Sequence, residues 1–366
     1  MKSKMSIMIL LASFLGLAII LLVAMLFMLQ SGMLSRRTAT IALPSDGGFV
    51  EAWTQHLPQI ARIVDIPEVN ILTYDSYDKL RSYFLQAEKY NLLWAEIPVS
   101  GEYNLSKLFS EVQTSVISQR ISDYYPPALF KEIKSCTGKT DNRFLVLSYN
   151  PWIVIKKNNT ETVTEFEYST GAHYEDGAFA TLTFVRNIKR TGKELLSLDE
   201  GLSEIKQMVN DNTFIRNPKS YTFKDAYSVL ENNKVKKTIL PIYFYNSLSV
   251  AQRLELSIEP LTSGLITDAT IAVFANRKTE EDILSVEKAK EYLLNTEILY
   301  STANARLWMP AHINTVSRSI YTDYIKKQAR QASNCFIPQT QFNSEKEKDK
   351  LLEKLEIAFR SNYLPQ

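Results

Sequence analysis

Cysteine and histidine are scarce in this 366-residue chain, with two cysteines (Cys136, Cys335) and three histidines (His56, His173, His312), no two of them close together. Clustered zinc and iron–sulfur sites need several such ligands at short spacing, so a transition-metal enzyme is disfavoured. Glycine and proline are also sparse, at 11 and 13 residues, which excludes collagen-like and low-complexity architectures. Neither sign of charge predominates. The 42 Lys+Arg and 40 Asp+Glu leave a net charge of +2, distributed without blocks, and this offers no electrostatic footprint for nucleic acid. Catalytic signatures are missing as well. Gly138, Lys139 and Thr140 imitate the end of a phosphate-binding loop, but Ile133 stands where that loop requires its first glycine. No G-x-S-x-G elbow occurs, and adjacent carboxylates such as Glu175 and Asp176 point apart in a strand or loop and make no acid–base pair. What the chain does have is 45% apolar and 22% charged residues, the balance of a folded protein with a packed core.

One apolar run stands out: Met5 to Leu29 is 25 residues without a charge, between Lys2 and Lys4 on one side and Arg36 and Arg37 on the other. As a helix it would measure roughly 37 Å against a hydrocarbon core of about 30 Å, whereas a cleavable signal has an apolar stretch of only about 7 to 15 residues. Residues 1–37 are therefore expected to form an uncleaved transmembrane anchor, with a long export signal cut between Ser31 and Thr40 as the alternative. No cysteine follows the run, so a lipid-modified amino terminus is excluded by residue type. Either reading places the body outside the cytoplasm, and the membrane is engaged through residues 5–29.

The body opens as alternating strand and helix. Thr40–Leu43 reads as a strand and Pro44–Gly48 as a turn; the apolar face Trp53, Leu57, Ile60, Ala61 and Val64 marks a helix bent at Pro58. Val69–Thr73 and Asn91–Ile97 follow as strands around a helix marked by Tyr77, Leu80, Phe84 and Ala87. Strands separated by helices predict a parallel sheet with right-handed crossovers and ligands at the carboxyl ends of the strands, where Ser45, Asp46 and Glu96 lie. Helical text runs from Tyr103 to Pro126 and Pro127. Phe144–Ile155 is a β-rich stretch broken by Asn150 and Pro151, which predicts either two strands with a bend or one strand passing between lobes. Further on, Ala180–Ile188, Thr238–Tyr245 and Ala269–Ala275 read as strands; Lys193–Asn210, Ser220–Leu230, Val286–Leu299 and Ser344–Phe359 read as helices, the last opened by a Ser344/Glu347 capping box; Ser301–His312 reads as a turn.

Three segments in order resemble the extracellular solute-binding proteins of ATP-driven (ABC) sugar importers, the maltose-binding-like group: Leu147–Ile155 (LSYNPWIVI), Ala269–Leu294 (ATIAVFANRKTEEDILSVEKAKEYLL) and Leu307–His312 (LWMPAH), the last with Arg306 in the usual glycine region. The glycine- and tryptophan-rich turn normal before the late strand is Ser263–Asp268 (SGLITD) in this chain. The resemblance implies an α/β, two-lobed periplasmic-binding-protein-like fold (type II) preceded by a transmembrane helix. Residues 38–153 plus 265–300 would form the first lobe, 154–264 plus 301–340 the second, and 341–366 a terminal amphipathic helix. It also implies a non-enzymatic receptor that closes by hinge motion over a carbohydrate and hands it to ABC permease subunits, without a cofactor. The rival readings are an exported glycoside-acting enzyme and a sensory or adaptor module.

Sugars suit a cleft that offers aromatic faces together with carboxylates, amides and arginine. The expected ligand contacts are Tyr149, Asn150 and Trp152 in the crossover segment, Arg306 and Trp308 in the late turn, Asp46 and Glu96 at strand ends, and Tyr243 and Tyr245 sharing one face of a strand. Each has a plain structural counterpart: the tryptophans and tyrosines as core, Asp46 as a helix cap. Trp94, inside an apolar strand, is read as buried. Cys136 and Cys335 could form one disulfide in an exported body.

Overall fold

The computed structural model describes residues 37–360 apart from 47, 118–119, 159–164, 172–174, 190–194, 216–221, 261–263 and 317–319, together with residues 16, 19, 22 and 23. The predicted membrane segment Met5–Leu29 thus lies outside the described residues except at those four positions. Among the described residues no helix is long and apolar enough to cross a membrane.

The strand–helix alternation read at the start of the body is present. Strand β1 (Thr38–Pro44) pairs in parallel with β2 (Glu68–Tyr74) on one side and β3 (Leu92–Pro98) on the other. The bent helix expected around Pro58 is two helices, Phe49–Thr54 and Leu57–Val64. Pro58 sits in the first turn of the second, where a missing N–H costs nothing. The sheet is not wholly parallel as predicted. Beyond β3 it continues into β8 (Leu265–Phe274) and β4 (Phe144–Lys157), each antiparallel to its neighbour, because β8 re-enters this sheet from the opposite end.

Strand β4 resolves the ambiguity at Asn150 and Pro151 in favour of one strand passing between lobes. Its first part, Phe144–Pro151, pairs with β8, and its second, Trp152–Lys157, pairs with β6 (Val235–Pro241) and β7 (Leu256–Pro260). Pro151 falls where the partners change, so its missing donor interrupts neither ladder. With β5 (Phe166–Thr170) parallel to β6, the order is β2-β1-β3-β8-β4-β6-β5. Short strands β9 (Met309–Pro310) and β10 (Cys335–Phe336) pair with β4 and β8.

Four stretches depart from the sequence reading for physical reasons. Ala180–Ile188 is not a strand but part of helix Glu175–Ile188; Thr181 and Thr183 turn their hydroxyls onto the Gly177 and Phe179 carbonyls (2.7 and 2.8 Å), while Phe179, Leu182 and Val185 are buried at helical spacing. The strand expected over Thr238–Tyr245 stops at Pro241, and Ile242–Ser247 is helical. The helix expected to end at Pro126 and Pro127 ends at Glu111, and a new one, Pro127–Thr137, begins at those prolines. The expected Val286–Leu299 helix is the pair Glu280–Leu293 and Thr296–Ala305, the second capped by Asn295. The helices read over Lys193–Asn210 and Ser220–Leu230 are present but start later, as Leu198–Asn210 and Phe223–Glu231, each opened by a reciprocal capping box, and Leu195 and Leu196 lie before the first of them.

Helix Thr296–Ala305 packs on Phe49–Thr54 and β9 joins the first part of β4. Residues 301–310, assigned to the second lobe on sequence, therefore pack on the first. The terminal helix Glu345–Arg360 crosses back onto Leu198–Asn210 and Glu175–Ile188 of the second lobe. On the way the chain passes Gly101, whose N–H donates to the Gln339 carbonyl at 2.7 Å; a Cβ there would lie 1.4 Å from the Phe342 carbonyl oxygen, so only glycine allows the approach. At the other end, Arg37 pairs with Glu281 and with Asp282 (2.9 Å) in the first turn of Glu280–Leu293. Asp282 also faces Arg277 at 3.1 Å. Cys136 and Cys335 are both free thiols, so the disulfide left open by the sequence is not formed.

Candidate functional site

A cavity of about 820 Å³ lies at the seam of the two lobes. Its first wall comes from strand ends. Strand β1 delivers Asp46 at the surface, and the chain turns at Gly48 (φ 72°) so that Phe49 starts the next helix. Past the end of β3, residues 98–103 bring Ser100, Glu102 and Tyr103 to the opening. Burial beside Glu102 and Asp46 holds the Tyr103 phenol well above its ordinary value, so it remains a neutral hydroxyl.

The floor is built after helix Thr296–Ala305. Leu307 there adopts a left-handed backbone (φ 59°) that a glycine would take without strain; Asn246 holds its carbonyl at 2.9 Å. That turn presents Trp308 and Arg306 to the cavity. Arg306 places Nη2 2.9 Å from Glu96 Oε1 as an ion pair and donates from the same nitrogen to Ser148 Oγ at 3.0 Å. Its guanidinium lies over Phe49 (4.3 Å) and Trp308 (5.2 Å). Nε and Nη1 are buried and have no hydrogen-bond partner among the described residues. Glu96, wholly buried, accepts from Trp53 Nε1 at 2.5 Å, and Trp94, buried as read, packs edge-on against Trp53.

The crossover strands form the back. Asn150 Nδ2 (3.3 Å) and Trp152 Nε1 (3.2 Å) both donate to Asp268 Oδ2, and the Tyr243 amide donates to Asn150 Oδ1 (3.3 Å). One carboxylate thus ties β4 to β8 where both leave one lobe for the other. Gln339 and Lys348, from the third crossing, complete the lining.

Of the residues singled out in the sequence, Asp46, Asn150, Tyr243, Arg306 and Trp308 line this cavity. Asp46 does not cap the following helix, whose N-cap is Gly48. Glu96 lies beneath the floor, behind Arg306. Trp152 is 2% exposed, packed against Phe223 at 5.7 Å, and reaches the site only through Asp268. Tyr149 and Tyr245, each 1% exposed, are buried away from it. The shared face expected for Tyr243 and Tyr245 assumed a strand; on the helix that forms, residues two apart diverge. Phe49, Ser100, Glu102, Tyr103 and Asp268 were missed, although the rule that ligands gather at strand ends points at Ser100 to Tyr103. No local signal marks Gln339 or Lys348, which arrive from far along the chain.

No family model matches the sequence, and no curated protein matches it. Solved structures do resemble it. The bacterial solute receptor AcbH, described as having an exclusive preference for β-D-galactopyranose, superposes with a TM-score of 0.62 at 11% identity, over 88% of this chain and 98% of its own. The sugar-binding protein MalE from Xanthomonas citri gives 0.61 at 8% identity, over 88% and 91%. The spermidine/putrescine ABC transporter substrate-binding protein PotD from Streptococcus pneumoniae gives 0.57 at 10%, over 88% and 99%. At these identities the likeness is one of architecture, and the architecture this chain shares is the two-lobed α/β fold of ABC solute-binding proteins.

Proposed function

We propose that this chain is a non-enzymatic, extracytoplasmic solute receptor that captures a carbohydrate between its lobes, delivers it to ABC permease subunits, and is tethered to the membrane through residues 5–29. The observation that carries the reading is the composition of the seam cavity: hydrogen-bond donors on Arg306, carboxylates on Asp46, Glu102 and Asp268, and aromatic rings on Phe49, Tyr103, Tyr243 and Trp308. An oligoamine offers donors alone and leaves Arg306 unanswered. A polyanion offers acceptors alone and meets three carboxylates. A hydroxyl-rich ring offers both, and its apolar faces suit aromatic side chains. The tether rests on the charge-free run Met5–Leu29.

The test is a thermal-shift and tryptophan-fluorescence titration of the full chain in detergent with galactose, maltose, sucrose and trehalose. Saturable binding of at least one sugar, with the sugar recovered unchanged, is expected; binding of none, or turnover of a bound oligosaccharide, would overturn the reading.

A further inference from the structure

Gly101 stands where the two lobes meet beside the cavity. It lies between Ser100 and Glu102, just past the end of β3, and faces the third crossing, which runs through the tight turn Pro338–Thr340 to Phe342. Its N–H donates to the Gln339 carbonyl at 2.7 Å, and a side chain has no room there: a Cβ would stand 1.4 Å from the Phe342 carbonyl oxygen and 2.6 Å from the carbonyl carbon. Backbone atoms cannot rotate aside as a flexible side chain can. Any larger residue at this position pushes the crossing back by about 2 Å before van der Waals contact is restored.

The crossing is gripped from the other side. Gln341 Nε2 donates to Thr183 Oγ1 at 2.6 Å, and Gln341 Oε1 accepts from Arg186 Nη1 at 2.8 Å. Phe342, 2% exposed, holds its ring 5.1 Å from that of Phe179. Phe179, Thr183 and Arg186 all belong to helix Glu175–Ile188 of the second lobe, and a close-packed interior passes displacement on instead of absorbing it. The crossing therefore moves with the second lobe while Gly101 moves with the first, and their contact borders the cavity: Ser100 and Glu102 line it on one side of the contact, Gln339 and Lys348 on the other.

We propose that Gly101 is a positioning residue for solute binding. It is the seat on which the third crossing rests, its missing side chain fixes the angle between the lobes, and that angle brings Gln339 and Lys348 to the solute. The inference rests on the receptor reading and adds to it the residue that sets how near the lobes approach.

A double-mutant cycle of Gly101→Ala and Gln341→Ala tests it in the full chain, with fluorophores on cysteines introduced at exposed Asp78 and Gln207 to read the interlobe distance. Gly101→Ala is expected to shift the transfer efficiency of the ligand-free protein and to weaken binding of galactose or maltose about tenfold or more. In the Gln341→Ala background the crossing is released from the second lobe, so the shift caused by Gly101→Ala should shrink to less than about half. A merely structural glycine would lower the melting temperature without moving the lobes and without this coupling. Unchanged transfer efficiency in Gly101→Ala, or strict additivity of the two substitutions, overturns the inference and leaves a receptor. Should Gly101→Ala not fold, Gln341→Ala alone decides: transfer efficiency and sugar affinity equal to the parent's overturn the inference, and a shift in both supports it. A parent that binds neither sugar overturns the role in sugar binding together with the sugar-receptor reading, while the ligand-free cycle still decides whether Gly101 seats the crossing.

Discussion

At the scale of single residues the energetics centre on the ion pair under the cavity. Glu96 and Arg306 are 0% and 3% exposed in their side chains, with 2.9 Å between charged atoms. Removing one member strands the other charge in a buried site, which costs about 3 to 5 kcal/mol, whereas removing both costs much less. Arg306→Met should therefore lower the urea midpoint sharply, and adding Glu96→Gln should recover most of the loss. Titration of histidine supplies a second expectation. Burial holds His56 and His312 below the ordinary imidazole value of 6.5, with Lys326 adding to the effect on His312. The native state then binds fewer protons than the unfolded chain, so the stability these neutral rings contribute is complete above pH 6.5 and is lost as the pH falls below it. Melting temperature should drop between about pH 7 and pH 5.5, and His312→Gln should flatten that drop. Arg306 and Trp308 were visible in the sequence because a short turn motif contains them. That Glu96 sits under the floor was not, since it depends on which strand lies beside β3 and on a turn more than 200 residues later.

Among the elements, those with clean periodicity and a cap were legible: Phe223, Ala226, Tyr227 and Leu230 are all buried on one helix, as their spacing requires. The failures came where local preference and tertiary context disagree. Helix Glu175–Ile188 is rich in β-branched residues, yet it is packed between the terminal helix and Leu198–Asn210, and burial on that side outweighs propensity. Tyr243 and Tyr245 were misplaced because Pro241 ends the strand and the next turn coils. Helix Leu198–Asn210 starts at Ser197, which accepts from the Glu200 amide while Glu200 returns to the Ser197 amide at 2.8 Å. Ser197→Ala should cost about 1 kcal/mol of global stability by urea unfolding, and it should leave solute affinity unchanged because the cap is remote from the cavity lining.

For the whole molecule, the two central crossings are strands and the third passes against Gly101. Closure of the receptor proposed above would therefore twist β4 and β8 about the Asn150–Asp268–Trp152 contacts instead of bending a loose linker. Cysteines introduced at exposed Asp78 in the first lobe and Gln207 in the second would carry a fluorescence pair across the seam. The native thiols should not compete, since burial pushes Cys136 up to about 11 and holds Cys335 well above the ordinary thiol value. Transfer efficiency should change saturably with the bound sugar. At a hundredfold excess over Kd the same sugar should add about 2.7 kcal/mol of stability.

The ion pairs of Arg37 with Glu281 and Asp282 carry a mechanical consequence. Tension applied to the chain upstream enters the molecule through the flank of the first lobe, next to β1, and not across the hinge. Under load those charges and the β1 ladder are the first contacts to be stretched. In the membrane-tethered receptor proposed above, the first lobe would stand still at that end while the other performs the stroke.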